Sequence, residues 1–194
     1  IKLTASRAGI EIESEDGCNI VSELSAQAEN LGSSLALLSL TLSKLYDERD
    51  KATGNITVAA YKKLLTEVES DKQHSVLIHE LNRFANQVYE SLGKTDSERS
   101  IYKERFDTHF LPKLVLGVHD HQKTKQKEKT NSVRFVSLSA GEHELKQIEI
   151  DKHIFTRLCD TNLIVMTQDG RYRIVHDLLL NNWIHILMVP KDES

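Results

Sequence analysis

The sequence predicts a mainly α-helical fold with a small β component, arranged as a helical bundle followed by a second domain of helices and a β-hairpin. Three observations predict it. Apolar residues recur at helical spacing through most of residues 20–115. The period shortens to that of strands in short runs beyond residue 132. Asp169-Gly170 separates the last two of those runs, and this dipeptide closes tight hairpins because it tolerates positive φ.

In order, Asp16 and Gly17 precede an amphipathic stretch with Ile20, Val21, Leu24, Ala28 and Leu31 on one face. Gly32 interrupts it, and Ser33 or Ser34 suits the cap of the next helix. That helix carries Leu35, Leu38, Leu42, Leu45 and Tyr46 as a stripe, widened by Leu37 and Leu40. Thr57 is a good N-cap for a short helix with Ala60, Tyr61, Leu64 and Leu65. A longer helix follows, burying Val76, Leu77, Leu81, Phe84, Ala85, Val88, Tyr89 and Leu92, and Gly93 is placed to end it.

Thr95 and Glu98 form a Thr-x-x-Glu capping box ahead of a helix over 97–115, with Ile101, Tyr102, Phe106, Phe110 and Leu114. Pro112 should kink or stop it, because it lacks an N–H and its ring meets the preceding turn. Residues 117–131, with His119, His121 and lysines at 123, 125, 127 and 129, have almost no apolar content and read as a mobile surface loop. Val133, Phe135, Val136 and Leu138 read as a short strand, and Ser139 with Glu142 as the cap of a short helical segment. Asp151 is a credible N-cap for a helix bearing Ile154, Phe155 and Leu158. Strands at 163–167 and 172–175 flank Asp169-Gly170, and a helix over 177–188 carries Leu178, Leu179, Trp183, Ile186 and Leu187 before Pro190. Helix, strand, helix, helix, hairpin is the winged-helix plan, with the hairpin as its wing. The expected organisation is a helical bundle over 1–94, a winged-helix domain over 95–189 and a tail over 190–194.

Composition excludes several classes. Hydrophobic residues at 39% and charged residues at 28% of 194 residues are ordinary for a globular protein. The longest apolar runs fall far short of a membrane span, and no secretory segment opens the chain. Two cysteines, Cys18 and Cys159, lie far apart without metal-ligand spacing and read as free thiols in a reducing, cytoplasmic setting. A net charge of −4 gives no general attraction to phosphate backbones. The chain begins at Ile1 and runs directly into an extended stretch, as a piece of a longer protein does.

Three segments carry a resemblance. Residues 32–49, Gly-Ser-Ser-Leu-Ala-Leu-Leu-Ser-Leu-Thr-Leu-Ser-Lys-Leu-Tyr-Asp-Glu-Arg, are similar to the helix after the nucleotide-binding core of bacterial STAND NTPases, signalling ATPases related to the NACHT and NB-ARC switches. Residues 56–61, Ile-Thr-Val-Ala-Ala-Tyr, resemble that family's Leu-Thr-x-x-x-Tyr stretch. Residues 163–183 resemble the end of its winged helix: a hairpin, then His-Glu-x-Leu, then a tryptophan. The resemblance spans roughly residues 1–186 and is weakest between 71 and 151.

The resemblance implies a regulatory module that packs on an ATPase core, holds an ADP-bound off state and permits nucleotide-dependent homo-oligomerisation when a C-terminal sensor is triggered. The phosphate loop Gly-x-x-x-x-Gly-Lys-Ser/Thr and the acidic Mg²⁺-binding strand are missing from these residues. The fragment is therefore expected to be no enzyme and to hold no cofactor alone, with ADP or ATP and Mg²⁺ belonging to the full-length protein. His176 stands where relatives reach the phosphates of bound ADP; read from the residues alone, it caps the last helix or bonds within the hairpin. Asp177 replaces the family's usual Glu, and Ala36 stands where proline is general. Leu35–45 otherwise reads as bundle core, as does Trp183. His119-x-His121 offers only two ligands, too few for a metal site. The alternative function is a DNA-binding winged-helix regulator with a helical dimerisation domain, using a recognition helix over 152–160 with Lys152 and Arg157, and Arg171 and Arg173 on the wing. Overall acidity counts against nucleic acid, and no site constellation supports a stand-alone enzyme.

Overall fold

The computed structural model describes residues 9–15, 17–31, 35–70, 75–120 and 132–183. These are mainly helical, with three two-stranded antiparallel sheets. The chain divides into two compact units, Ile1–Arg83 and Phe84–Ser194.

In the first unit, β1 (Ser14–Glu15) pairs with β2 (Cys18–Asn19) across a turn in which Gly17 takes φ +87°. Asn19 then starts α1 (Ile20–Asn30): its Oδ1 accepts the Ser22 N–H at 3.1 Å. Ile20, Leu24 and Ala28, four apart, form the buried stripe. Helix α2 (Leu35–Asp47) buries Leu37, Leu38, Thr41 and Leu45. Thr57 caps α3 (Val58–Ser70) as expected, accepting the Ala60 N–H at 3.1 Å, and Val58, Tyr61, Leu64 and Val68 face inward. The start of α4 (Val76–Glu90) is satisfied by a side chain from α1: Gln27 Oε1 accepts from the Ser75 hydroxyl and the Val76 N–H, both at 3.0 Å. Burial of Val76, Leu77 and Leu81 fixes which face of α4 the unit covers.

The division between units falls inside α4, and the second unit begins with its last turns. Gly93, at φ +79°, closes them. The capping box is present: Thr95 Oγ1 accepts the Glu98 N–H at 3.2 Å, and Glu98 accepts the Thr95 N–H at 3.3 Å. It opens α5 (Asp96–Arg105). The expected continuous helix over 97–115 changes its winding after Arg105: a π turn over Phe106–Phe110, then a 3-10 turn over Leu111–Lys113. Pro112 is the physical reason, since its ring displaces the carbonyl of the preceding turn, and the Leu111 N–H reaches Phe106 O instead. The π turn brings Phe106 and Phe110 inward, where Phe106 meets Tyr89 edge-on at 5.5 Å and Trp183 at 5.8 Å.

The loop expected over 117–131 is corrected in part. β3 (Val115–Asp120) pairs antiparallel with β4 (Ser132–Ser137), from Val115↔Ser137 to Asp120↔Ser132. A ladder with a partner fifteen or so residues away stabilises Gly117–Asp120 as strand, which local composition does not reveal. Residues 121–131, including His121 and the four lysines, lie outside the described residues.

The short helix α6 (Glu142–Leu145) is capped by Gly141 and Glu144, whose carboxylate accepts the Gly141 N–H, in place of Ser139 and Glu142. The next helix, α7 (Glu149–Asp160), begins two residues before Asp151; Asp151 is its third residue, buried, and caps from inside by accepting the Ile148 N–H at 3.3 Å. β5 (Ile164–Met166) and β6 (Tyr172–Ile174) pair around Asp169-Gly170, with Gly170 at φ +75°. Ala140 adds an antiparallel bridge to Tyr172. α8 (Leu178–Asn182) ends sooner than the expected 177–188, because Trp183 is extended (φ −87°, ψ 121°); Ile186, Leu187 and Pro190 lie outside the described residues.

Gly93 carries a prediction. A Cβ there would lie 2.6 Å from the Arg99 backbone nitrogen and 2.7 Å from the Glu98 carbonyl carbon, on a backbone that L-residues avoid. Gly93→Ala is expected to destabilise by at least ~1–2 kcal/mol, read as an earlier urea midpoint at unchanged slope. A midpoint equal to wild type would contradict this close approach.

Candidate functional site

His176 lies between β6 and α8, in the connection that the hairpin ladder and the packing of Leu179 and Leu180 hold in place. Its Nδ1 accepts the Leu178 N–H at 3.2 Å. Burial lowers the ring's pKa below the ordinary histidine value, with Asp177 opposing, so the imidazole is neutral at physiological pH. With Nδ1 accepting, the hydrogen sits on Nε2, which makes that nitrogen a donor. The local bond expected of a capping histidine is therefore real, and it also fixes the tautomer.

The other sequence candidates separate. Trp183 is buried, and its Nε1 donates to Asn86 Oδ1 at 2.7 Å, a packing role. Ala36 falls within α2, but its side chain lies outside the described residues, as do those of His119 and His121. Three of the four cations considered for DNA are engaged within the second unit. Lys152 pairs with Glu149 at 2.9 Å, and Arg157 Nε donates to Ser91 Oγ at 3.0 Å. Arg171 donates to Ser139 O at 2.5 Å and meets Glu144 at 3.3 Å, tying the β5–β6 turn to α6. Arg173 is exposed.

Two arrangements escaped the sequence. Gly93-Lys94-Thr95 has the ending of a phosphate loop and opens a helix, although Val88 stands where the first glycine would be. Glu98 fills the cradle such a loop offers to phosphate: its Oε2 accepts the Lys94 N–H at 2.9 Å as well as the Thr95 N–H. An anion meets a carboxylate there, and the open groove alongside, about 520 Å³, is lined by both signs of charge, Lys94 and Arg157 with Glu98 and Asp160. The second arrangement joins Glu67 of α3 to His79 and Glu80 of α4, with one ligand atom from each lying within 4.8 Å of the others. His79 and Glu80 sit among Leu77 and Leu81 on a face that periodicity assigns to core, and Glu67 is remote in sequence, so no spacing rule finds them.

Fold and site together define a mainly helical, two-unit protein with a fixed neutral histidine after its last hairpin; among the described residues no helix is long and apolar enough to cross a membrane. Residues 1–189 match the family described as Novel STAND NTPase 1, and the chain belongs to that family. No curated protein and no solved structure matches it.

Proposed function

We propose that the chain is the regulatory helical and winged-helix module of a STAND signalling NTPase, packing on an ATPase core to hold an ADP-bound off state. The observation that carries this reading is the family match along nearly all of a chain whose 194 residues contain no complete phosphate loop. Nucleotide then has to be held by a core outside these residues, and the module acts by contacting the core's two states differently. Cytoplasmic location, a sensor as a further partner and homo-oligomerisation on activation belong to the same proposal.

The order in the second unit supports a winged helix. α5 is its first helix, Ala140 its first strand position, α6 and α7 its second and third helices, and β5–β6 the wing. The β3–β4 hairpin is then an insertion between the first helix and Ala140. The engaged states of Lys152, Arg157 and Arg171 argue against α7 and the wing reading DNA.

In this scheme His176 is the latch, and its chemistry is that of a neutral donor. Nε2–H donates to an ADP phosphate oxygen while Nδ1 stays on the Leu178 N–H. Losing one hydrogen bond to a charged group corresponds to ~10- to 100-fold in affinity. In the full-length protein, His176→Ala is expected to speed release of a fluorescent ADP analogue by that factor, measured by stopped flow. An unchanged release rate removes His176 from the switch.

A further inference from the structure

The geometry points to a divalent transition-metal site in the first unit, formed by Glu67 of α3 with His79 and Glu80 of α4. It is independent of the nucleotide-switch reading. Glu80 carries the argument. It is fully buried, and its two carboxylate oxygens are treated differently. Oε2 takes both bonds from Arg83, at 2.8 Å from Nε and 2.5 Å from the terminal nitrogen. Oε1 has no hydrogen-bond partner among the described residues. A buried carboxylate oxygen left in that state is costly, so it calls for a cation or a donor at that point.

The groups around Oε1 are ligands. His79 Nε2 lies 3.9 Å from it, and one ligand atom each from Glu67, His79 and Glu80 lies within 4.8 Å of the other two, forming a triangle. Tetrahedral zinc, with bonds of ~2.0–2.2 Å to nitrogen and oxygen, places its ligand atoms ~3.3–3.6 Å apart. Sides of up to 4.8 Å therefore have to contract by up to ~1.2–1.5 Å as an ion enters. Glu67 is the partly exposed member and supplies most of that movement, while His79 and Glu80 are held by the buried face of α4. Arg83 fixes the Glu80 carboxylate so that Oε1 is the coordinating oxygen, the orienting role that outer partners play at metal centres. One imidazole and two carboxylates suit Zn²⁺, with water as the fourth ligand, better than Ca²⁺ or Mg²⁺, which prefer all-oxygen shells. Bound there, the ion would clip α3 to α4.

The test uses the 194-residue chain, stripped with EDTA and titrated with Zn²⁺ alone by calorimetry, with thermal unfolding in parallel. The expected result is one saturable equivalent and a higher Tm. Glu67→Gln keeps the shape of a partly exposed side chain, and its own metal-free Tm is the reference for its titration. It should weaken Zn²⁺ binding at least ~10-fold, no less than the loss of an outer partner costs. His79→Asn should abolish the equivalent. Absence of a saturable equivalent in the parent chain overturns the proposal. So does an equivalent of unchanged affinity in both variants, which would assign the ion to other histidines or cysteines.

Discussion

Phe106→Ala is expected to cost the second unit ~3–5 kcal/mol, the usual range for removing a buried phenyl ring. Phe106 is 2% exposed and stands at the centre of an aromatic group: Tyr89 at 5.5 Å, Trp183 at 5.8 Å and Phe110 at 6.1 Å. Truncation leaves a void that these rings, fixed on three separate elements, cannot collapse to fill. Trp183 is the chain's only tryptophan, so its fluorescence reports both the altered contact and the unfolding of this unit. Ile101, 50% exposed on α5, is the internal control; its alanine variant should stay within ~0.5 kcal/mol of wild type. Equal denaturant midpoints for the two variants would show that the π turn does not place Phe106 in the core.

Arg105→Ala should be comparably severe, by a different mechanism. Arg105 Nε and a terminal nitrogen hold the two oxygens of the fully buried Asp151 at 2.8 and 3.0 Å, joining α5 to α7. Removing the guanidinium strands a buried negative charge, at a cost of ~3–5 kcal/mol near neutrality. Burial pushes the Asp151 carboxyl up. The hydrogen bonds and charge of Arg105, the Ile148 N–H and the charge of His109 outweigh it, holding the group below the usual carboxylate range. Because the folded value lies below the unfolded one, near ~3.9, the pair's stabilisation is present above that pH and is lost as pH falls through the folded value. The gap between wild type and Arg105→Ala should be full at pH 7 and shrink below about pH 4, as urea titrations at both pH values would reveal. A gap independent of pH would mean that Arg105 acts by packing alone.

These two sites mark where the sequence is legible and where it is not. The Thr95–Glu98 box, the Thr57 cap and the Asp169-Gly170 turn are satisfied within four residues, so their chemistry is readable locally. Asp151 looks equally local, yet its partner Arg105 lies 46 residues away, which draws it inside the helix and not to its cap. Gly117–Asp120 becomes strand only because of β4, and the winding after Arg105 depends on how the chain absorbs Pro112. At the candidate site, His176 stands out by its place after a hairpin, whereas its tautomer depends on a bond to the Leu178 N–H. The Glu67, His79 and Glu80 group was hidden because two of its members occupy a helix face that periodicity gives to the core.

The proposed regulatory role requires this chain to distinguish two nucleotide states of an ATPase core. The most direct test is to titrate the chain against its separately produced nucleotide-binding core, loaded with ADP or with a non-hydrolysable ATP analogue. Tighter binding to the ADP form, weakened by His176→Ala, is the predicted result. Equal affinity for the two forms would mean that the chain cannot bias the switch, and would contradict the account.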